Sequence, residues 1–143
     1  MFIAAASNKI GYGHLSRSLI IADYIYSDSQ SAIDFLILSN SQTKDAFKQN
    51  LNIKKQYGMR YVENSGDLLL KLGKDEYDAI IVDVMYEGFY FENNSEEIFR
   101  ELANQKSLVA AIDSLGENSL IEKNETYFDI LLRPYVCWDR VEK

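Results

Sequence analysis

Ala79-Ile80-Ile81-Val82-Asp83 runs four apolar residues together and then ends on an acid. A strand with no polar side to offer water must be covered on both faces, which suits the centre of a parallel sheet and disfavours an antiparallel meander. Around it Phe2 to Ala6, Ile33 to Leu38, Met59 to Val62, Leu108 to Asp113 and Phe128 to Leu132 also read as strands. Between the strands the apolar residues switch to helical spacing. Leu15, Leu19, Ala22 and Tyr26, with Ile20 and Ile25 widening the stripe, predict a helix ending at about Ser27. Ser41 or Thr43 to about Leu51, Ser65 to about Gly73 and Ser95 to about Asn104 predict three more, each opened by a Ser or Thr able to cap free N–H groups. Glu96 and Glu97 add negative charge where the dipole of the last of these favours it. Gly116 to Thr126 reads as a polar connection before the last strand. Strands and helices in alternation, joined by right-handed crossovers, predict an α/β fold: a doubly wound, mostly parallel sheet with helices on both faces and strands ordered 3-2-1-4-5.

Composition agrees with that fold and excludes others. In 143 residues, 47% hydrophobic and 26% charged with one proline, disorder and collagen are excluded, and a single core needs no disulfide or structural metal. The one cysteine, Cys137, has no partner for an internal bridge. Met1 leads directly into Phe2-Ile3-Ala4-Ala5-Ala6 with no basic region, and no apolar run approaches the ~20 residues that cross a bilayer, so a cytoplasmic protein without a transmembrane segment is expected. With 15 basic against 22 acidic residues, the net charge of −7 repels phosphate backbones, and nucleic acid is not an expected partner. A small phosphorylated ligand is compatible with that charge, because backbone N–H groups and one local arginine are enough to hold it. Residues 1–135 read as a Rossmann-like domain, and 136–143 as the start of a linker toward a further C-terminal domain, since Val136 and Trp138 lack an evident partner element. The alternative is that Trp138 folds back on the sheet as a C-terminal anchor.

Ligands of such sheets sit beyond the carboxyl ends of the strands, where the order reverses between the first and fourth. Ser7-Asn8-Lys9-Ile10-Gly11-Tyr12-Gly13-His14-Leu15-Ser16-Arg17 follows the first strand. Gly11 and Gly13 permit positive φ and close approach of a ligand to the main chain, or else make only a tight turn. A dinucleotide fingerprint is not met: Ser16 replaces the third glycine, and the second strand ends Leu38-Ser39-Asn40 without a ribose-binding acid. No Gly-Lys-Ser/Thr follows either, so neither NAD nor ATP is expected. His14, the sole histidine, is placed as a general base, kept neutral by a helix N-terminus that lowers its pKa; otherwise it caps the helix or packs on the sheet. One histidine and one distant cysteine do not make a zinc ligand set, and no metal or cofactor is expected. Asp83, at the tip of the fourth strand, is a candidate to orient His14 or bind sugar hydroxyls. Asp113, at the tip of the fifth, is a candidate to organise a loop. Tyr86-Glu87-Gly88-Phe89-Tyr90-Phe91 offers an aromatic pocket wall or an apolar lid.

The run Gly11-Tyr12-Gly13-His14-Leu15-Ser16-Arg17-Ser18-Leu19-Ile20-Ile21-Ala22 resembles the Gly-x-Gly-His-x-x-Arg-x-Leu-x-x-Ala signature of GT-B-type enzymes acting on nucleotide-activated sugars. It is similar to the N-terminal half of the pseudaminic acid pathway nucleotide-sugar hydrolases and of family 28 glycosyltransferases. Ile80-Ile81-Val82-Asp83, Ala111-Ile112-Asp113 and Phe128-Asp129-Ile130-Leu131-Leu132 follow in the same order, so the likeness spans nearly the whole chain. The resemblance implies the acceptor-side domain of a two-domain enzyme of cell-surface polysaccharide or glycoconjugate biosynthesis, its nucleotide gripped by the other domain. His14 matches the general base and would activate a hydroxyl or water for attack at the anomeric carbon without a metal. The candidate set is then His14 as catalytic base, with Gly11, Tyr12, Gly13, Arg17, Asp83, Tyr86 and Asp113 about the substrate. This chain departs from the hydrolases, which carry His-Tyr after the fourth-strand acid where Val84-Met85 stand here. They also have a second acid where this chain has Ser114, and Gln-Asn where it has Arg133-Pro134-Tyr135. The departures favour glycosyl transfer, with hydrolysis second and a non-catalytic Rossmann-like binding module third.

Overall fold

The computed structural model describes residues 1–7, 11–39, 56–73, 76–84, 95–114 and 119–134. Its strands are β1 (Phe2–Ala5), β2 (Asp34–Leu38), β3 (Gly58–Val62), β4 (Ala79–Asp83), β5 (Leu108–Ile112) and β6 (Ile130–Leu132). The helices among the described residues are α1 (Gly13–Ser29), α2 (Ser65–Leu72), α3 (Ser95–Ala103) and the short α4 (Leu120–Lys123), followed by a 3-10 turn at Glu125–Tyr127. The helix predicted from Ser41 or Thr43 to Leu51, the aromatic run from Tyr86 to Phe91 and the segment from Tyr135 onward lie outside the described residues.

All six strands are parallel, in the order β3-β2-β1-β4-β5-β6. The predicted 3-2-1-4-5 order is present, with β6 added beyond β5. Strand pleating divides the core in two. Ile3, Ala5, Leu36, Leu38, Ile80 and Val82 turn toward α2, α3 and α4, whose Leu68, Phe99 and Ile121 share their cluster. Phe2, Ala4, Phe35 and Ile37 turn to the other face, where Leu15 and Ala22 of α1 cover them. Double-sided burial is what an unbroken apolar strand requires, and β1 and β2 receive it in full. Farther along the α1 face the cover thins: Leu108, Ile130 and Leu132 are 46%, 42% and 47% exposed.

Several local expectations are corrected. Ile20 does not join the buried stripe of α1 but is 71% exposed. At roughly 100° per residue it falls away from the Leu15–Ala22 line, which instead widens toward Ser18 and Ile25. α1 also runs two residues past Ser27. The Ser27 and Ser29 hydroxyls bond back to the carbonyls of Asp23 and Ile25, at 2.7 and 2.8 Å, and Gln30 closes the helix in the left-handed region at φ 56°. The cap of α2 is Asn64, whose Oδ1 accepts from the Asp67 N–H at 2.9 Å, and Ser65 is the first helical residue. Gly116 to Thr126 is more than a polar connection: Ser119 accepts from the Glu122 N–H at 2.9 Å to open α4, which buries Leu120 and Ile121. Phe128 precedes β6 and turns its ring against Phe99, 5.1 Å away.

Candidate active site at the switch point

β1 and β4 are neighbours whose onward connections diverge, since β1 leads toward β2 and β4 toward β5. The crevice this opens at their carboxyl ends receives the start of α1. Beyond β1, Ser7 and Gly11 exchange backbone hydrogen bonds, Gly11 N to Ser7 O at 2.8 Å and Ser7 N to Gly11 O at 3.2 Å, which doubles the chain back on itself. Gly11 sits at φ +78°, a conformation that favours glycine. Gly13 does not share it. It is the first residue of α1, preceded by Tyr12 as a cap position without a side-chain cap bond. Among the described residues, a Cβ at Gly13 would meet no atom within 4 Å.

His14, Arg17 and Ser18 stand at i, i+3 and i+4 on α1 and therefore share one stripe of the helix. All three converge on the Asp83 carboxylate at the tip of β4. His14 Nδ1 lies 2.6 Å from Oδ1; Arg17 donates from Nη2 to Oδ1 at 2.5 Å and from Nε to Oδ2 at 2.9 Å; Ser18 Oγ donates to Oδ2 at 3.3 Å. Asp83 is fully buried and His14 is 6% exposed. Burial pushes the Asp83 pKa up, but the hydrogen bonds and charges of His14 and Arg17 outweigh it and hold the carboxyl below its ordinary range.

An ionised Asp83 decides the His14 tautomer. A carboxylate only accepts, so at 2.6 Å the imidazole Nδ1 must carry the proton. Without that proton, two acceptors would face each other at close range. Arg17 Nη2, 3.2 Å from Nδ1, then stands beside it as a second donor to the same oxygen. In the neutral ring the lone pair is left on Nε2, the arrangement of an imidazole oriented to take a proton.

Of the residues singled out from the sequence, His14, Arg17 and Asp83 thus form one cluster, with His14 and Asp83 buried and Arg17 partly so, at the start of α1 just after the Gly11-Tyr12-Gly13 turn. Asp113 belongs to a second grouping. It is buried at the end of β5, its N–H donates to Leu132 O at 2.9 Å, and Arg133 Nε lies 3.5 Å from its Oδ2. Tyr86 lies outside the described residues. Sequence reasoning missed Ser18 and Arg133; the i+4 spacing from His14 was the signal for the first, and no local signal marked the second. Comparisons with protein-family models, with curated proteins and with solved structures found no match.

Proposed function

We propose that this domain is the acceptor-side half of an enzyme that transfers a glycosyl group from a nucleotide-activated sugar, with His14 as general base. The observation that supports it is the buried Asp83 carboxylate on His14 Nδ1, which leaves Nε2 as the proton acceptor at the switch point. The resemblance of the glycine-histidine run to GT-B-type enzymes supplies the substrate class. As the acceptor oxygen attacks the anomeric carbon, Nε2 takes its proton, the bond from that carbon to the phosphate oxygen breaks, and the electron pair leaves with the nucleoside diphosphate. Asp83 stabilises the imidazolium so formed, while Arg17 and Ser18 are positioning residues that hold the carboxylate in place.

The test is release of nucleoside diphosphate from a panel of nucleotide sugars, with and without hydroxyl acceptors, by the full-length protein and by His14→Asn. Loss of a general base should lower kcat by about 10²-fold or more with KM little changed. Release that needs an acceptor supports transfer, and release into water alone assigns hydrolysis. Undiminished turnover by His14→Asn would overturn the reading.

A further inference from the structure

Between α1 and the ends of β5 and β6 lies an open groove of about 290 Å³, walled almost wholly by the hydrocarbon of Ile21, Ile112, Leu132 and Pro134. It adjoins the His14 cluster. Ile81 and Ala110 are partners in register, so Asp83 and Ile112, each two residues on, share the α1 face of neighbouring strands, and Leu132 is the partner of Ile112 on its other side. Topology explains why the groove is bare. α1, carrying the chain from β1 to β2, covers one face, while α2, α3 and α4, on the connections from β3 through to β6, cover the other. Right-handed crossovers assign each direction of travel to its own face, so no crossover between β3 and β6 supplies a helix over the α1 side of β5 and β6. That cover is left to the chain past β6.

We propose that Tyr135-Val136-Cys137-Trp138, which lies beyond the described residues, docks in this groove with the Trp138 ring against Ile21, Ile112 and Leu132. The chain passes Pro134 in the wall of the groove itself, and Trp138 follows four residues later. Four residues of extended chain carry ~13 Å, and the step from β6 across β5 to β4 is ~10 Å, so the segment spans the gap toward α1. In such a chain Pro134, Val136 and Trp138 fall on one side. Arg133 before the run and Asp139-Arg140 after it confine the apolar piece to these four residues. Burial of the ring against hydrocarbon supplies the driving force, and the open side of the groove leaves the indole N–H in water. Leu108, at the opposite end of β5, stays outside the contact. Docked there, Trp138 walls the site one strand away from Asp83 and fixes where the chain leaves the domain, whether or not His14 is catalytic.

Trp138 is the only tryptophan in the chain, so its fluorescence reports the contact without ambiguity. The folded chain should emit to the blue of the urea-unfolded one and resist acrylamide, and nuclear Overhauser contacts should join the indole to the Ile112 and Leu132 methyl groups. Ile21→Glu and Leu132→Glu place a charge in the groove and should shift the emission to the red and raise quenching several-fold, with far-UV circular dichroism unchanged. Leu70→Glu, on the exposed side of α2, should change neither. Three outcomes each overturn the proposal: a Trp138 quenched in the folded chain as freely as in urea, a shielded Trp138 indifferent to both groove substitutions, or shielding that disappears on dilution, which assigns the groove to a second copy of the chain. Should either variant unfold, the indole–methyl contacts of the wild type decide alone, and their absence overturns it.

Discussion

Asp83 gathers three polar side chains from one stripe of α1, and its own ionisation depends on two of them, His14 and Arg17. A buried carboxyl left to itself would be pushed toward its neutral form, but two donors from Arg17 and one from His14 reverse that preference. Because folding lowers the Asp83 pKa, the stabilisation is complete above the unfolded value of about 4 and is lost as pH falls through the folded one. Urea unfolding of the wild type should therefore lose stability between about pH 5 and pH 3 more steeply than that of Asp83→Asn, which has no proton to take up. Equal slopes would mean that Asp83 titrates alike in both states. At neutral pH the same variant should be destabilised by about 3 kcal/mol, since it strips Arg17 of its counter-charge in a mostly buried setting.

Elements differ in how openly their sequences declare them. The strands and the buried face of α1 follow from apolar periodicity, and the six strands lie within a residue or two of their predicted ends. Helix ends were less legible, because they turn on single hydrogen bonds. No glycine marks the end of α1; Gln30 occupies the left-handed position, and serine hydroxyls bonded back to the preceding turn carry the helix on to Ser29. Gln30→Gly should remove the Cβ penalty and stabilise the domain by about 0.5–1 kcal/mol in urea denaturation. A neutral or destabilising result would show that the Gln30 side chain makes up the difference. α4 was legible in principle. Ser119-Leu120-Ile121-Glu122 has the Ser-x-x-Glu pattern of a helix start, yet its brevity gives no periodicity to notice.

On the scale of the whole molecule, topology joins residues 14 and 83, which no local pattern connects. The reading of a doubly wound sheet placed both at the switch point, so the core of the site was visible once the strand order was. The uneven cover of the sheet was not, because alternating apolar residues look the same whether a helix lies over them or not. That unevenness predicts a contrast in stability. Leu68→Ala, inside the layer under α2, should cost about 2–5 kcal/mol, whereas Leu108→Asn on the exposed α1 face should change stability by less than about 0.5 kcal/mol. Thermal or urea unfolding of the two variants checks it, and a large loss in Leu108→Asn would mean that this face is covered. The central claim is that the fold brings Asp83 to His14 to hold one tautomer ready to accept a proton. Long-range ¹H–¹⁵N correlation of the only histidine measures that tautomer directly. With the ring neutral, the account predicts a protonated Nδ1 and a bare Nε2 in the wild type, with that preference weakened in Asp83→Asn. A proton on Nε2 in the wild type, or a mixture unchanged by the substitution, would contradict it.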